Sequence, residues 1–230
     1  FRSWYLGDPS ILLVLLGTLT LAQILRASTS WSHVLLGSVA VGVVFALVLG
    51  HTSSELIGAL ATEVTKVLTQ LRGESQLSGE ELDKLQVALV PTLTGVMASS
   101  LQVTCLLCLM LARYWQASLY NPGGFGREFR SLRLAPAVAV ILLLGAVVVP
   151  ALEVQAAVLG PLCSVPLIIA GVALGHGLIA LKRLAGGWLV GLYLAVLLLG
   201  NLICLLAVVD SLFDFRGRLA RRQGSTNGEG

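Results

Sequence analysis

Cys105 and Cys108 form a Cys-x-x-Cys pair, a spacing that in a polar loop holds zinc or cycles between dithiol and disulfide. Here the pair sits in "SSLQVTCLLCLMLAR" with no second ligand pair, and Cys163 and Cys204 lie in apolar runs of their own. Sulfur in such surroundings is a small packing group, so no metal site is expected. His33, His51 and His176 fall in separate segments without ligand spacing. The chain has no Gly-x-Ser-x-Gly, no His-Glu-x-x-His and no phosphate-cradling glycine loop. Neither an enzyme nor a cofactor is expected.

Polar side chains inside apolar runs carry more information, because lipid makes them costly. Gln102, His176 and Asn201 each stand in a different run. Three such groups on converging helices would line a small-molecule pocket; the plain alternative is hydrogen bonding between helices. Gly171-x-x-x-Gly175 and Gly187-x-x-x-Gly191 allow close helix packing, within the bundle or against another subunit.

The most polar and aromatic stretch between two apolar runs is "RYWQASLYNPGGFGREFRSLRL", residues 113–134. Arg113 closes a span, where its guanidinium can snorkel to headgroups, and Trp115 and Tyr120 suit the headgroup level. Asn121-Pro122 stops the helix, and Gly123-Gly124 tolerates backbone angles that other residues resist. Phe125 and Phe129, four apart among Arg127, Arg130 and Arg133, read as a short interfacial helix. Arg113, Trp115, Gln116 and Tyr120 through Phe125 are therefore candidates for a docking or gating loop, with a lipid-anchored connector as the plainer reading.

These features must be held by a membrane bundle. Hydrophobic residues make up 56% of the 230, and charged residues only 12%, about half the share usual in soluble domains. The expected fold is all-α: six spans, near 10–26, 31–50, 88–112, 134–152, 156–180 and 188–209, within one integral domain over 1–212. An amphipathic helix over 53–72 is expected along the interface, with Glu63, Lys66 and Gln70 opposite an apolar stripe. Ser78-Gly79-Glu80-Glu81 starts a helix that runs to about Leu119 and projects two to three turns beyond the bilayer. Pro161 and Pro166 predict a kink or break in the fifth span. Residues 213–230 form a basic tail whose last eight residues read as disordered, and Arg216, Arg218, Arg221 and Arg222 are expected to attract anionic lipid. The absence of methionine before Phe1 reads as a fragment of a longer chain. With six straight spans, eight basic residues fall on one side (Arg2, Lys66, Arg72, Lys84 and the four tail arginines) and seven on the other, so charge does not orient the bundle. No basic stripe points to nucleic acid.

Trp115, Gln116 and Tyr120 through Phe125, together with "FRSWYLGDPSILLVLLGTLTLAQILR" near the start, resemble the proteobacterial branch of the YybS-like family of predicted membrane proteins. That family is similar, more distantly, to substrate-binding membrane subunits of energy-coupling-factor transporters. The resemblance implies a bacterial inner-membrane protein with a six-helix core that binds a small molecule and docks on an energising partner. A small-molecule-binding transporter subunit is the expected function, and a membrane scaffold or assembly partner, including a homo-oligomer, is the alternative.

Overall fold

The computed structural model describes residues 9–72 and 79–219, and it is all-α, with no strand among the described residues. Helix α1 (Pro9–Ser28) and α2 (Trp31–Thr52) form a tight hairpin closed by Thr29, whose φ is +50°. Helix α3 (Ser54–Arg72) follows, then α4 (Gly79–Tyr120), a single helix of 42 residues. At ~1.5 Å per residue α4 is roughly 63 Å long, about twice the thickness of a hydrocarbon core. Its far end at Tyr120 is the only part that reaches the polar loop, so its first turns extend beyond the opposite side of the bundle, with α3 packed against it. Among the described side chains of α3 only Ile57 and Ala61 are buried, and its charge keeps it out of the membrane-length apolar helices. Pro91 lies inside α4 without ending it.

The short α5 (Gly124–Ser131) crosses the end of the bundle. Helix α6 then descends as Pro136–Leu143, a π-helical turn at Leu144–Val148 and a last turn Val149–Leu152. A 3-10 turn, Val154–Val158, leads into α7 (Leu159–Leu181). Of the kink or break expected at the prolines of the fifth span, no break occurs within α7, which runs on through Pro166. Pro161 falls in the first turn, where a missing N–H costs nothing, and the irregularity sits instead in the 3-10 turn before it. That turn presses on α4: a Cβ on Gly95 would lie 2.5 Å from the Val158 carbonyl.

Four helices are long and apolar enough to cross a membrane singly, and two bent pairs bring the number of crossings to as many as six, so this is a multi-pass membrane protein. The second bent pair corrects the expected straight sixth span. Helix α8 (Gly187–Leu198) and α9 (Gly200–Phe213) meet at Leu199 with a 109° bend. Leu192 of α8 packs on Gly175 and Ile203 of α9 packs on Gly171, so each limb is seated on one glycine of the Gly-x-x-x-Gly pair in α7. Arg216, just past α9, returns to Gly177, near the end of α7 from which α8 set out. Both limbs therefore open on the same face, and the apex lies inside. Twelve residues of α8 at ~1.5 Å each make a limb roughly 18 Å long, which even when tilted reaches about the middle of a ~30 Å core.

The charge distribution changes with this topology. Arg26, Arg113, Arg127, Arg130, Arg133, Lys182, Arg183, Arg216 and Arg218 gather at one end: nine of the twelve lysines and arginines among the described residues. Lys66, Arg72 and Lys84 stand at the other. The even split expected of six spans placed Arg216 and Arg218 at the other end. The end of the tail and the first eight residues lie outside the described residues.

Candidate functional site

The three intramembrane polar residues do not converge. Gln102 is fully buried, and its Nε2 donates to Ser38 Oγ at 2.9 Å and to the Leu162 carbonyl at 3.3 Å, tying α4 to α2 and α7. Its Oε1 has no partner and faces Gly42. His176 lies fourteen residues along α7 from Leu162, about 21 Å at ~1.5 Å per residue. Asn201 is exposed in the first turn of α9. Gln102 is thus an interhelical tie, as in the plain alternative, and no pocket is shared by the three.

The 113–134 stretch is held as one structure. Asn121 accepts the Gly124 amide through its carbonyl at 2.9 Å, and its Oδ1 accepts from Arg127 at 3.3 Å. Gly123 has φ +76°, which a side chain would strain. A Cβ on Gly124 would meet Asn121 Nδ2 at 2.6 Å. After Pro122 the chain thus turns within two residues and starts α5. Trp115 and Tyr120 remain exposed, as headgroup-level anchors would be. Phe125 stacks on Phe129 and meets the edge of Tyr114, Phe129 meets His176, and His176 meets Tyr193, with ring centroids 5.5 to 6.2 Å apart. This aromatic row joins α4, α5, α7 and α8. His176 Nδ1 lies 2.9 Å from the Val172 carbonyl, which fixes its ring within the row.

Two charged clusters lock the same face. Arg113 donates through Nη2 to Glu128 Oε2 at 2.8 Å and through Nη1 to Gln116 Oε1 at 2.7 Å, while Trp31 Nε1 donates to Glu128 Oε1 at 2.6 Å. Glu128 thereby binds α2, α4 and α5 together. On the other flank Arg216 donates through Nε and Nη2 to Asp210 Oδ2, at 3.1 and 2.8 Å. It also donates to the carbonyls of Arg130 and Leu132, at 2.7 and 2.8 Å. Asp210 is 1% exposed. The tail arginine expected to seek lipid is committed inward; Arg218 stays exposed.

Beside Arg113 a cleft of about 430 Å³ opens between α1, α4 and α5. Ala22, Leu25, Leu109 and Ala112 form its apolar wall, and Arg26, Thr29, Arg113, Gln116 and Glu128 its polar end. Arg113 and Gln116 were legible as loop candidates, but Arg26, Trp31 and Glu128 were not. The available signal was that Glu128 is the only acid among the four arginines of the stretch. Among the described residues no group of three His, Cys, Asp or Glu side chains is placed to hold a metal. Cys105 is buried and donates to the Val14 carbonyl at 3.5 Å, while Cys108 is exposed, and both are free thiols. No family model, curated protein or solved structure matches the chain.

Proposed function

We propose that the chain is a non-catalytic subunit of a bacterial inner-membrane assembly that docks another membrane protein along the α8–α9 limbs. The observation that carries this is the break at Leu199. A helix end leaves backbone groups without intrahelical partners, and lipid cannot satisfy them. Yet Leu197 and Leu198 beside the break are 80% and 79% exposed, and no residue of α8 is buried. Gly187 and Gly191 have nothing within 4 Å of a built Cβ, which leaves a surface on which another helix can approach closely. The gathering of basic residues around the 113–134 stretch supports a cytoplasmic side for that face under the positive-inside rule. The YybS-like resemblance supports the bacterial membrane.

A cysteine at position 191 in a cysteine-free background should crosslink in native membranes to a second protein, or to itself if the assembly is a homo-oligomer. Gly191→Leu should abolish that complex while leaving the isolated chain stable. Absence of any crosslinked species, with Leu197→Cys and Leu198→Cys equally silent, would refute the assignment. A small-molecule-binding transporter subunit keeps one specific foothold, the interfacial cleft, since the deep triad supplies no pocket.

A further inference from the structure

The cleft between α1, α4 and α5 has a polarity gradient that suits one chemical class. Its wall of Ala22, Leu25, Leu109 and Ala112 belongs to the spans, and its other end carries Arg26 and Arg113 where those spans finish. Arg26 makes no ion pair among the described residues. Arg113 gives one Nη2 hydrogen to Glu128 and one Nη1 hydrogen to Gln116, which leaves a second hydrogen on each Nη. The charge of Glu128 is offset by its ion pair with Arg113, and Trp31 occupies its other oxygen. Two arginines against one neutralised carboxylate leave the site one positive charge in excess. A second, more polar cleft shares Thr29, Arg113 and Glu128 with the first and adds the hydroxyl-bearing Ser30, Ser32 and Ser131.

We propose that this cleft binds an anionic phospholipid, its phosphate oxyanion held by Arg26 and the remaining Nη hydrogens of Arg113 and its acyl chain lying along Ala22, Leu25, Leu109 and Ala112. The polar extension takes the remainder of the headgroup. Guanidinium groups suit phosphate through short charge-assisted hydrogen bonds. On the cytoplasmic orientation proposed above, the basic face that surrounds the cleft turns toward the leaflet where anionic lipids concentrate. The apolar wall excludes free phosphate as the preferred ligand, since it would leave that wall uncovered.

The test uses the whole chain, delipidated in a non-ionic detergent and titrated with phosphatidylglycerol or phosphatidylcholine of matched chains, with bound lipid counted by native mass spectrometry. One phosphatidylglycerol should be retained per chain, and phosphatidylcholine should bind at least about tenfold more weakly. Arg26→Gln should lower phosphatidylglycerol retention about tenfold, the loss expected of one charge-assisted contact. Arg26 is exposed, so this variant should keep its fold, and Lys182→Gln, an exposed cation elsewhere on the face, should retain the lipid. Equal retention of the two lipids overturns the proposal, and so does an equal loss in the Lys182 variant, which would mean diffuse surface attraction. Displacement of the lipid by millimolar inorganic phosphate would overturn the lipid assignment in favour of a free-anion site.

Discussion

Replacing Arg216 by methionine should destabilise this protein far more than a surface ion pair would allow. Arg216 supplies both hydrogen bonds to Asp210 Oδ2 and caps two backbone carbonyls of the polar stretch. The side chains of the pair are 14% and 2% exposed, so water does not screen them as it screens an exposed pair. Without Arg216, the Asp210 carboxylate is buried with one oxygen already lacking a partner. Breaking a buried pair from one side costs about 3–5 kcal/mol, against roughly 0–1 kcal/mol for a surface pair. Asp210→Leu combined with Arg216→Met removes the stranded charge and should recover most of that loss. It should not recover all of it, because the carbonyls of Arg130 and Leu132 stay uncapped. The assay is equilibrium unfolding of the three variants in mixed detergent–SDS micelles. A cost below about 1 kcal/mol for Arg216→Met, or a double variant no better than the single one, would refute the reasoning.

Gln102→Leu should cost less than about 1 kcal/mol in the same unfolding assay, because it removes an unpartnered Oε1 along with two hydrogen bonds; a loss above about 2 kcal/mol would assign the amide a larger role than helix pairing. Gly171→Val should destabilise α9 packing severely, since even a Cβ there would lie 2.9 Å from the Ile203 carbonyl, whereas Gly191→Val should leave the isolated chain as stable as before; equal effects on a thermal-stability assay would contradict the seating of the limbs. Gly123→Val should lose roughly 1–3 kcal/mol from its left-handed backbone, while Trp115→Phe changes stability by less than about 0.5 kcal/mol, both read by unfolding.

What could be read in the sequence follows from what each signal depends on. Apolar run length and turn residues are local, so α1, α2, the long α4 and the short α5 after Gly123 were legible almost to their ends. The sixth span was not. "VLLLGNLICLL" remains apolar through Leu199 and Gly200, and hydropathy is blind to a backbone bend that changes no side chain's polarity. The bend is set instead by tertiary packing, with Leu192 and Ile203 each claiming a different glycine of α7. The same limitation hid the cleft. Arg113 and Gln116 stand in an obvious polar stretch, but Arg26 reaches them only because α1 packs along α4, and Trp31 finds Glu128 across 97 positions of sequence. The pocket expected of Gln102, His176 and Asn201 failed because one polar residue per helix says nothing of depth.

The return of α9 to the face it left is tested most directly by sidedness. In a cysteine-free background, single cysteines at positions 66, 127 and 218 would be labelled in intact cells and in inverted vesicles with a membrane-impermeant thiol reagent. The fold predicts that positions 127 and 218 react together and that position 66 reacts alone from the opposite side; with the orientation proposed above, the pair reacts in inverted vesicles and position 66 in intact cells. Labelling of 218 together with 66, on the side opposite 127, would mean a straight sixth span and would contradict the re-entrant pair.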